Sequence, residues 1–188
     1  MIMFASPQQP YRLRGHIVSP RSIESIRSAA MAAHQVLDLP EGPAPMPAFL
    51  ESLGNFGITV DVFDDENKTL MMAGVEAMCV PETATIALTE ATYSAARRED
   101  PRTRFTIFHE LGHFVLQHTK ALPRKDFDAK PYMDSEWQAD QFAAEITMPL
   151  ETIRRRNINS PTAIARFFKV SFQAANRRYT QLHNKGLI

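Results

Sequence analysis

The chain has 188 residues, which fits one domain or one domain with a small appendage. A 44% hydrophobic content is enough for a core, and the formal net charge of zero hides any local asymmetry. The single cysteine, Cys79, excludes an internal disulfide and points to a reducing compartment, and no apolar run approaches the roughly 18–20 residues of a membrane span.

Taken in chain order, Met1 to Tyr11 lacks the charged start and long apolar stretch of a secretory signal, so a cytoplasmic protein is expected. Residues 1–18 read as a loose lead-in. Ser19-Pro20 reads as a helix start, with serine capping and proline in the first turn. Ile23, Ile26, Ala30, Ala33 and Leu37 then form an amphipathic stripe. The stretch from Pro40 to Pro47, with four prolines, is a rigid spacer between packed helices. A short helix over about 47–55 ends at Gly54 or Gly57. Ile58, Val60 and Val62 alternate with polar residues as a half-buried strand does. Asp64-Asp65-Glu66-Asn67 lacks the spacing of an EF-hand loop and reads as a hairpin end. Residues 70–80 and 83–88 complete a small, mostly antiparallel sheet, with Cys79 as a core residue. The edge Thr85-Ile86-Ala87-Leu88 is a candidate for binding substrate backbone by strand addition, the alternative being an ordinary edge strand.

The most informative segment follows. His109-Glu110-Leu111-Gly112-His113 is an H-E-x-x-H pattern between the apolar runs Phe105–Phe108 and Phe114–Leu116. Residues four apart share a helix face, so both imidazoles reach one metal ion with Glu110 beside them. Chance supplies such a pattern in about one in a few hundred chains of this size. The pattern alone therefore does not decide the matter; its helical setting and a second acidic helix do. His118 lies five residues after His113, roughly 140° around an ideal helix, and reads as a surface or helix-end histidine. His16, His34 and His183 read as ordinary surface residues.

The loop over residues 119–133 carries Lys120, Arg124, Lys125 and Lys130, and either shapes specificity or merely connects. After it, Asp134 or Ser135 caps a helix whose Ala139, Phe142, Ala143 and Ile146 face the core. A catalytic zinc site needs three protein ligands and an open position. Glu136 is the candidate third ligand. Asp140, one turn on, is placed to accept a hydrogen bond from a ligand histidine, and is the rival for third ligand. Glu145 reads as a cap or salt-bridge partner.

Residues 151–188 hold eight Lys or Arg and one acid, against thirteen and twenty in residues 1–150, so the zero net charge is a cancellation of +7 and −7. Ser160-Pro161 opens one helix, Lys169-Val170-Ser171 turns, and Ser171 caps a second that ends at Gly186. The pair reads as a helix-turn-helix, with Arg177 and Arg178 as candidate nucleic-acid or partner contacts. The expected division is residues 1–150 and 151–188.

As a set, Arg104-Phe105-Thr106-Ile107, the H-E-x-x-H segment, Glu136 through Glu145 and Met148-Pro149 resemble the ImmA/IrrE metallopeptidases, over roughly residues 22–187. The resemblance implies a gluzincin-like site, with zinc on His109, His113 and Glu136 and Glu110 as catalytic base. It also implies a substrate class, DNA-binding regulators such as helix-turn-helix repressors or antitoxins. Phe108 departs from the small residue the family often has there. Zinc brings the pKa of a bound water from about 15.7 toward 7 and polarises a carbonyl, and Glu110 takes the proton. Tyr132, His118 and Tyr93 are candidate oxyanion donors. The expected fold is α+β and zincin-like, the sheet packed on the H-E-x-x-H helix with a helical C-terminal part. The expected function is that of a cytoplasmic zinc endopeptidase. The alternative is a DNA-binding transcriptional or stress regulator, or a toxin–antitoxin component, with a latent or structural zinc site.

Overall fold

A computed structural model describes residues 11–63, 74–118 and 129–188. The fold is α+β, with a three-stranded sheet, a layer of helices and a helical C-terminal part. Helix α1 (Ile23–Val36) starts later than Ser19-Pro20 suggests: Ser22 is its cap and accepts the Ser25 N–H, and Ile26 and Ala30 are buried. Arg21 N–H is held by Tyr132 O and Val18 N–H by Met133 O, so the Ser19-Pro20 stretch is tied to the turn before α5 (Ser135–Thr147) instead of to a helix of its own. The acidic turn 64–67, and the loop lysines and arginine at 120, 124 and 125, lie outside the described residues.

The described part of the lead-in, residues 11–18, is not loose. Tyr11 O–H donates to Asp134 Oδ2 (2.7 Å), the Arg14 and Gly15 N–H groups donate to the same carboxylate, and Ile17 pairs with Asp134 in a single β-bridge. Asp134 is fully buried and caps α5 by accepting the Glu136 N–H. A buried carboxylate must fill its lone pairs, and residues 11–17 supply the donors.

Helix α2 (Met46–Ser52) begins within the proline stretch, with Pro45 at its N-cap and Pro47 in its first turn, and closes through a 3₁₀ turn at Gly57, whose φ of +73° suits glycine. Strands β1 (Thr59–Phe63), β2 (Ala77–Val80) and β3 (Thr85–Thr89) form a sheet of order β1-β3-β2. The sheet is mixed: β1 runs parallel to β3, and β2 antiparallel to it. The stretch Thr85–Leu88 is therefore the central strand, paired on both sides, and not the edge expected from its sequence. Buried on nearly every position, it has the apolar run of an interior strand. The edges are β1, with Val62 exposed, and β2.

Helices α3 (Glu90–Arg97), α4 (Pro101–Val115) and α5 complete the main layer. Gly112 of α4 packs directly on α5. A Cβ there would stand 3.0 Å from the Phe142 ring and 3.3 Å from the Ala139 backbone, so the glycine sets the interhelix distance. Phe108 does not crowd the metal side; it is buried and stacks on Phe49 with centroids 4.7 Å apart. One buried cluster unites α1, α2, the sheet and α3 to α5. A second, around Met148, Ile164, Phe168 and Leu182, holds α6 (Leu150–Arg155), α7 (Pro161–Phe168) and α8 (Phe172–Asn184). Ser160 and Ser171 cap α7 and α8 through the Ala163 and Ala174 N–H groups. No described helix is long and apolar enough to cross a membrane.

Candidate metal centre

Asp100 caps α4 by accepting the Arg102 and Thr103 N–H groups, and Pro101 occupies the first turn. The helix buries Ile107, Phe108 and Leu111, and this turns His109, Glu110 and His113 toward α5 and β2. Arg104 is buried and reaches Ala44 O and Glu99, which fixes the start of α4 against the entry to α2.

His109, His113 and Glu136 come together. His109 Nε2 lies 3.1 Å from His113 Nε2 and 3.2 Å from Glu136 Oε2, and His113 Nε2 lies 3.4 Å from Glu136 Oε1. Ligands at 2.0–2.1 Å from a tetrahedral ion stand about 3.3–3.4 Å apart, so the donor set fits such an ion. The three side chains keep part of their surface, 15%, 14% and 34%. Gly15 packs on the third of them: a Cβ there would collide with Ser135 Oγ and stand 2.7 Å from Glu136 Cγ.

Asp140 takes the outer nitrogen of His109, Oδ1 to Nδ1 at 3.0 Å, and its other oxygen accepts from Arg14 Nη1 at 2.8 Å. Turned to Nδ1, it stands behind the ring that Glu136 meets at Nε2. Burial would lower the His109 pKa, but its hydrogen bonds to Asp140 and Glu136 win and raise it to about 10. Burial and the neighbouring His109 push His113 down to about 4. The cluster thus favours one positive charge between its carboxylates.

Glu110 points to the sheet. Its Oε2 accepts the Cys79 N–H at 2.7 Å. Burial pushes its pKa up to about 7, against the pull of His109 and that N–H. Glu76 O accepts the Thr89 N–H, and hydrogen-bonded pairs alternate along the ladder. Ala77 and Cys79 therefore turn their backbone groups away from β3, toward α4. Cys79 is half-buried and belongs to neither core cluster, unlike the core residue expected; burial, then Glu110 and Glu82, still raises its thiol to about 12, which keeps it protonated and inert.

The three oxyanion candidates fare differently from expectation. His118 is buried at the centre, with both ring nitrogens engaged: Nδ1 lies 3.0 Å from His113 Nδ1, and Nε2 lies 3.0 Å from Gln138 Oε1. It has no ring nitrogen left for an oxyanion. Helix α4 ends at Val115, Gln117 adopts a left-handed φ of +54°, and the chain doubles back under His113. An ideal helix drawn through residue 118 misses this. Tyr93 lines a groove with Leu50, Ile58, Val60 and Val62 along β1, apart from the histidines. Tyr132 is 45% exposed in a shallow pocket with Pro20, Ile23 and Lys185. Gln138, which sequence reasoning passed over, is fully buried behind His118.

In the tail, Arg177 is exposed but Arg178 is not. Arg178 is buried on Glu145, at 2.8 and 2.6 Å, and on Met148 O. Glu145 also takes Arg27 of α1. Arg178 is thus a core tie between α8 and α5, and no nucleic acid can reach it.

No curated protein matches the chain. Among solved structures it is similar to a Mycobacterium tuberculosis transcriptional regulator, 16% identical over 81% of this chain and 45% of that one, with a TM-score of 0.49. The chain spans less than half the length of that protein. A peptidase family model, described as the IrrE N-terminal-like domain, matches residues 93–180. That span runs from α3 into α8 and takes in His109, Glu110, His113 and Glu136, so the part of the chain that carries the metal centre is the part similar to the IrrE N-terminal-like peptidase family.

Proposed function

We propose that the chain is a zinc endopeptidase of the cytoplasm whose substrate is a DNA-binding repressor or antitoxin. The observation that carries the peptidase reading is the convergence of His109 Nε2, His113 Nε2 and the two oxygens of the Glu136 carboxylate, with nitrogen–nitrogen and nitrogen–oxygen distances of 3.1–3.4 Å. Two imidazole nitrogens and a carboxylate oxygen are the donor set zinc prefers in hydrolases. Bound there, zinc would polarise a scissile carbonyl and make a water acidic.

The remaining work falls to the chain's own groups. Glu110 stands next to His109, half-withdrawn from solvent, and its raised pKa suits a carboxylate that takes a proton and returns it to the leaving amine. Asp140 orients His109. Beside the Cys79 N–H that Glu110 holds, the outward backbone groups of Ala77 and the Cys79 carbonyl on β2 offer an extended peptide a place to add as a strand, the role first assigned to β3. The substrate class rests on the resemblance to the ImmA/IrrE proteins.

The test is elemental mass spectrometry of the purified protein beside Glu136→Ala, followed by cleavage assays on candidate regulators. About one zinc per chain, lost in Glu136→Ala, and cleavage abolished in Glu110→Gln with metal retained, support the reading. Metal-free protein that takes up no zinc on titration overturns it.

A further inference from the structure

A histidine binds metal through one ring nitrogen only if its proton sits on the other. For His109 the acceptor at the outer nitrogen is Asp140. For His113 it is His118, which carries no fixed direction of its own, since either ring nitrogen of a neutral imidazole can donate.

The direction is set one residue further out. Gln138 Nε2 lies 2.9 Å from Ser19 O and 2.8 Å from Tyr132 O, two backbone carbonyls that can only accept. Both amide protons are spent there, so the Gln138 side chain has one orientation. Its Oε1 then faces His118 Nε2 at 3.0 Å and can only accept. His118 must donate from Nε2, which leaves its Nδ1 bare. At 3.0 Å, that bare nitrogen accepts the proton of His113 Nδ1. His113 Nε2 is then left with its lone pair directed at His109 and Glu136.

The local fold builds this chain of bonds. The His118 N–H donates to His113 O and the Gln117 N–H to Phe114 O, the two bonds of a Schellman motif. The motif usually brings two apolar side chains together; here it brings His118 under His113.

We infer that Gln138 and His118 are positioning residues that fix His113 as its Nδ1–H tautomer, so that its Nε2 is presented to a metal ion. The inference rests on the metal-centre reading for its purpose, but not for its test. Long-range ¹H–¹⁵N NMR of the histidine rings in the metal-free 188-residue chain reads each tautomer directly. The expected spectrum has His113 protonated at Nδ1 and bare at Nε2, and His118 protonated at Nε2 alone. His113 protonated at Nε2, or His118 carrying both protons, overturns the inference.

Gln138→Leu removes the acceptor that sets the direction. The expected result is a mixture of His118 tautomers and zinc affinity lower by about 10–100-fold. Unchanged tautomers in that variant also overturn the inference, and if the variant does not fold the parent spectrum still decides. The expected tautomers in a protein that takes up no zinc would leave the ring order standing and sink the metal centre instead.

Discussion

Helix α5 carries two carboxylate centres that use the same chemistry to opposite ends. Near its start, Glu136 faces histidine lone pairs and keeps a third of its surface. Near its end, Glu145 has no exposed surface and is filled by two guanidinium groups, Arg178 at 2.6–2.8 Å and Arg27 at 3.0–3.1 Å. Glu145 is satisfied by the protein alone, and its role ends with joining α1, α5 and α8. Around Glu136 the facing atoms are mostly acceptors, and only a proton or a cation can reconcile them. Saturation of a buried carboxylate marks structure; convergence of acceptors with a face left open marks a binding site.

The sharpest way to break this contrast is to truncate both residues. Glu145→Ala strands two cations, Arg178 with none of its surface exposed, and the loss expected for half of a buried ion pair is about 3–5 kcal/mol. Glu136→Ala is expected to change stability of the metal-free protein by less than about 1 kcal/mol, since the residue is a third exposed. Urea unfolding of the two metal-free variants compares them. Equal losses would mean that Glu136 is as structural as Glu145.

Acid sharpens the same point. Burial alone would raise the Glu145 pKa, but Arg178 and then Arg27 hold it below its usual 4.5. A depressed native pKa means that the unfolded chain binds the proton first. The stabilisation is therefore complete above about pH 4.5 and is lost as pH falls through the native value. Urea midpoints between pH 5 and 3 should fall less steeply in Glu145→Gln than in the parent. Identical slopes would show that this carboxyl contributes no linkage.

Asp140→Ala tests the outer partner of His109. With its Nδ1 acceptor gone, the ring is free to rotate and exchange tautomers. Zinc affinity should fall about 10–100-fold without vanishing, read by competition with a chelator. Loss as complete as in Glu136→Ala would make Asp140 the third ligand after all.

What the sequence revealed and hid divides along physical lines. The H-E-x-x-H helix, the carboxylates of α5 and the serine caps of α7 and α8 are local patterns, fixed within one or two turns, and the helices stand where those patterns put them. Strand order is not local. The apolar run of β3 is as compatible with an edge as with the centre until β1 lies parallel beside it. Arg178 hid for a similar reason: in a stretch of net +7 a single arginine reads as surface, and its buried partner lies 33 residues away. The lead-in held by Asp134 was equally invisible, since its donors are mostly backbone N–H groups, which carry no residue signature.

His118 was hidden by one residue. The turn that carries it places Gln117 at φ +54°, the position where glycine normally announces the end of a helix. A residue with a Cβ pays about 1–2 kcal/mol in that conformation, and glycine would give back about 0.5–1 kcal/mol of this through its greater loss of chain entropy. Gln117→Gly should therefore stabilise the protein by up to about 1 kcal/mol, a small rise in the urea midpoint, with the His118–His113 contact intact and zinc affinity unchanged. The Gln117 side chain is exposed, so no packing opposes the change. A fall in stability beyond about 1 kcal/mol would mean that the turn draws on the glutamine side chain itself. In that case the placement of His118 depends on residue 117 as well as on Gln138.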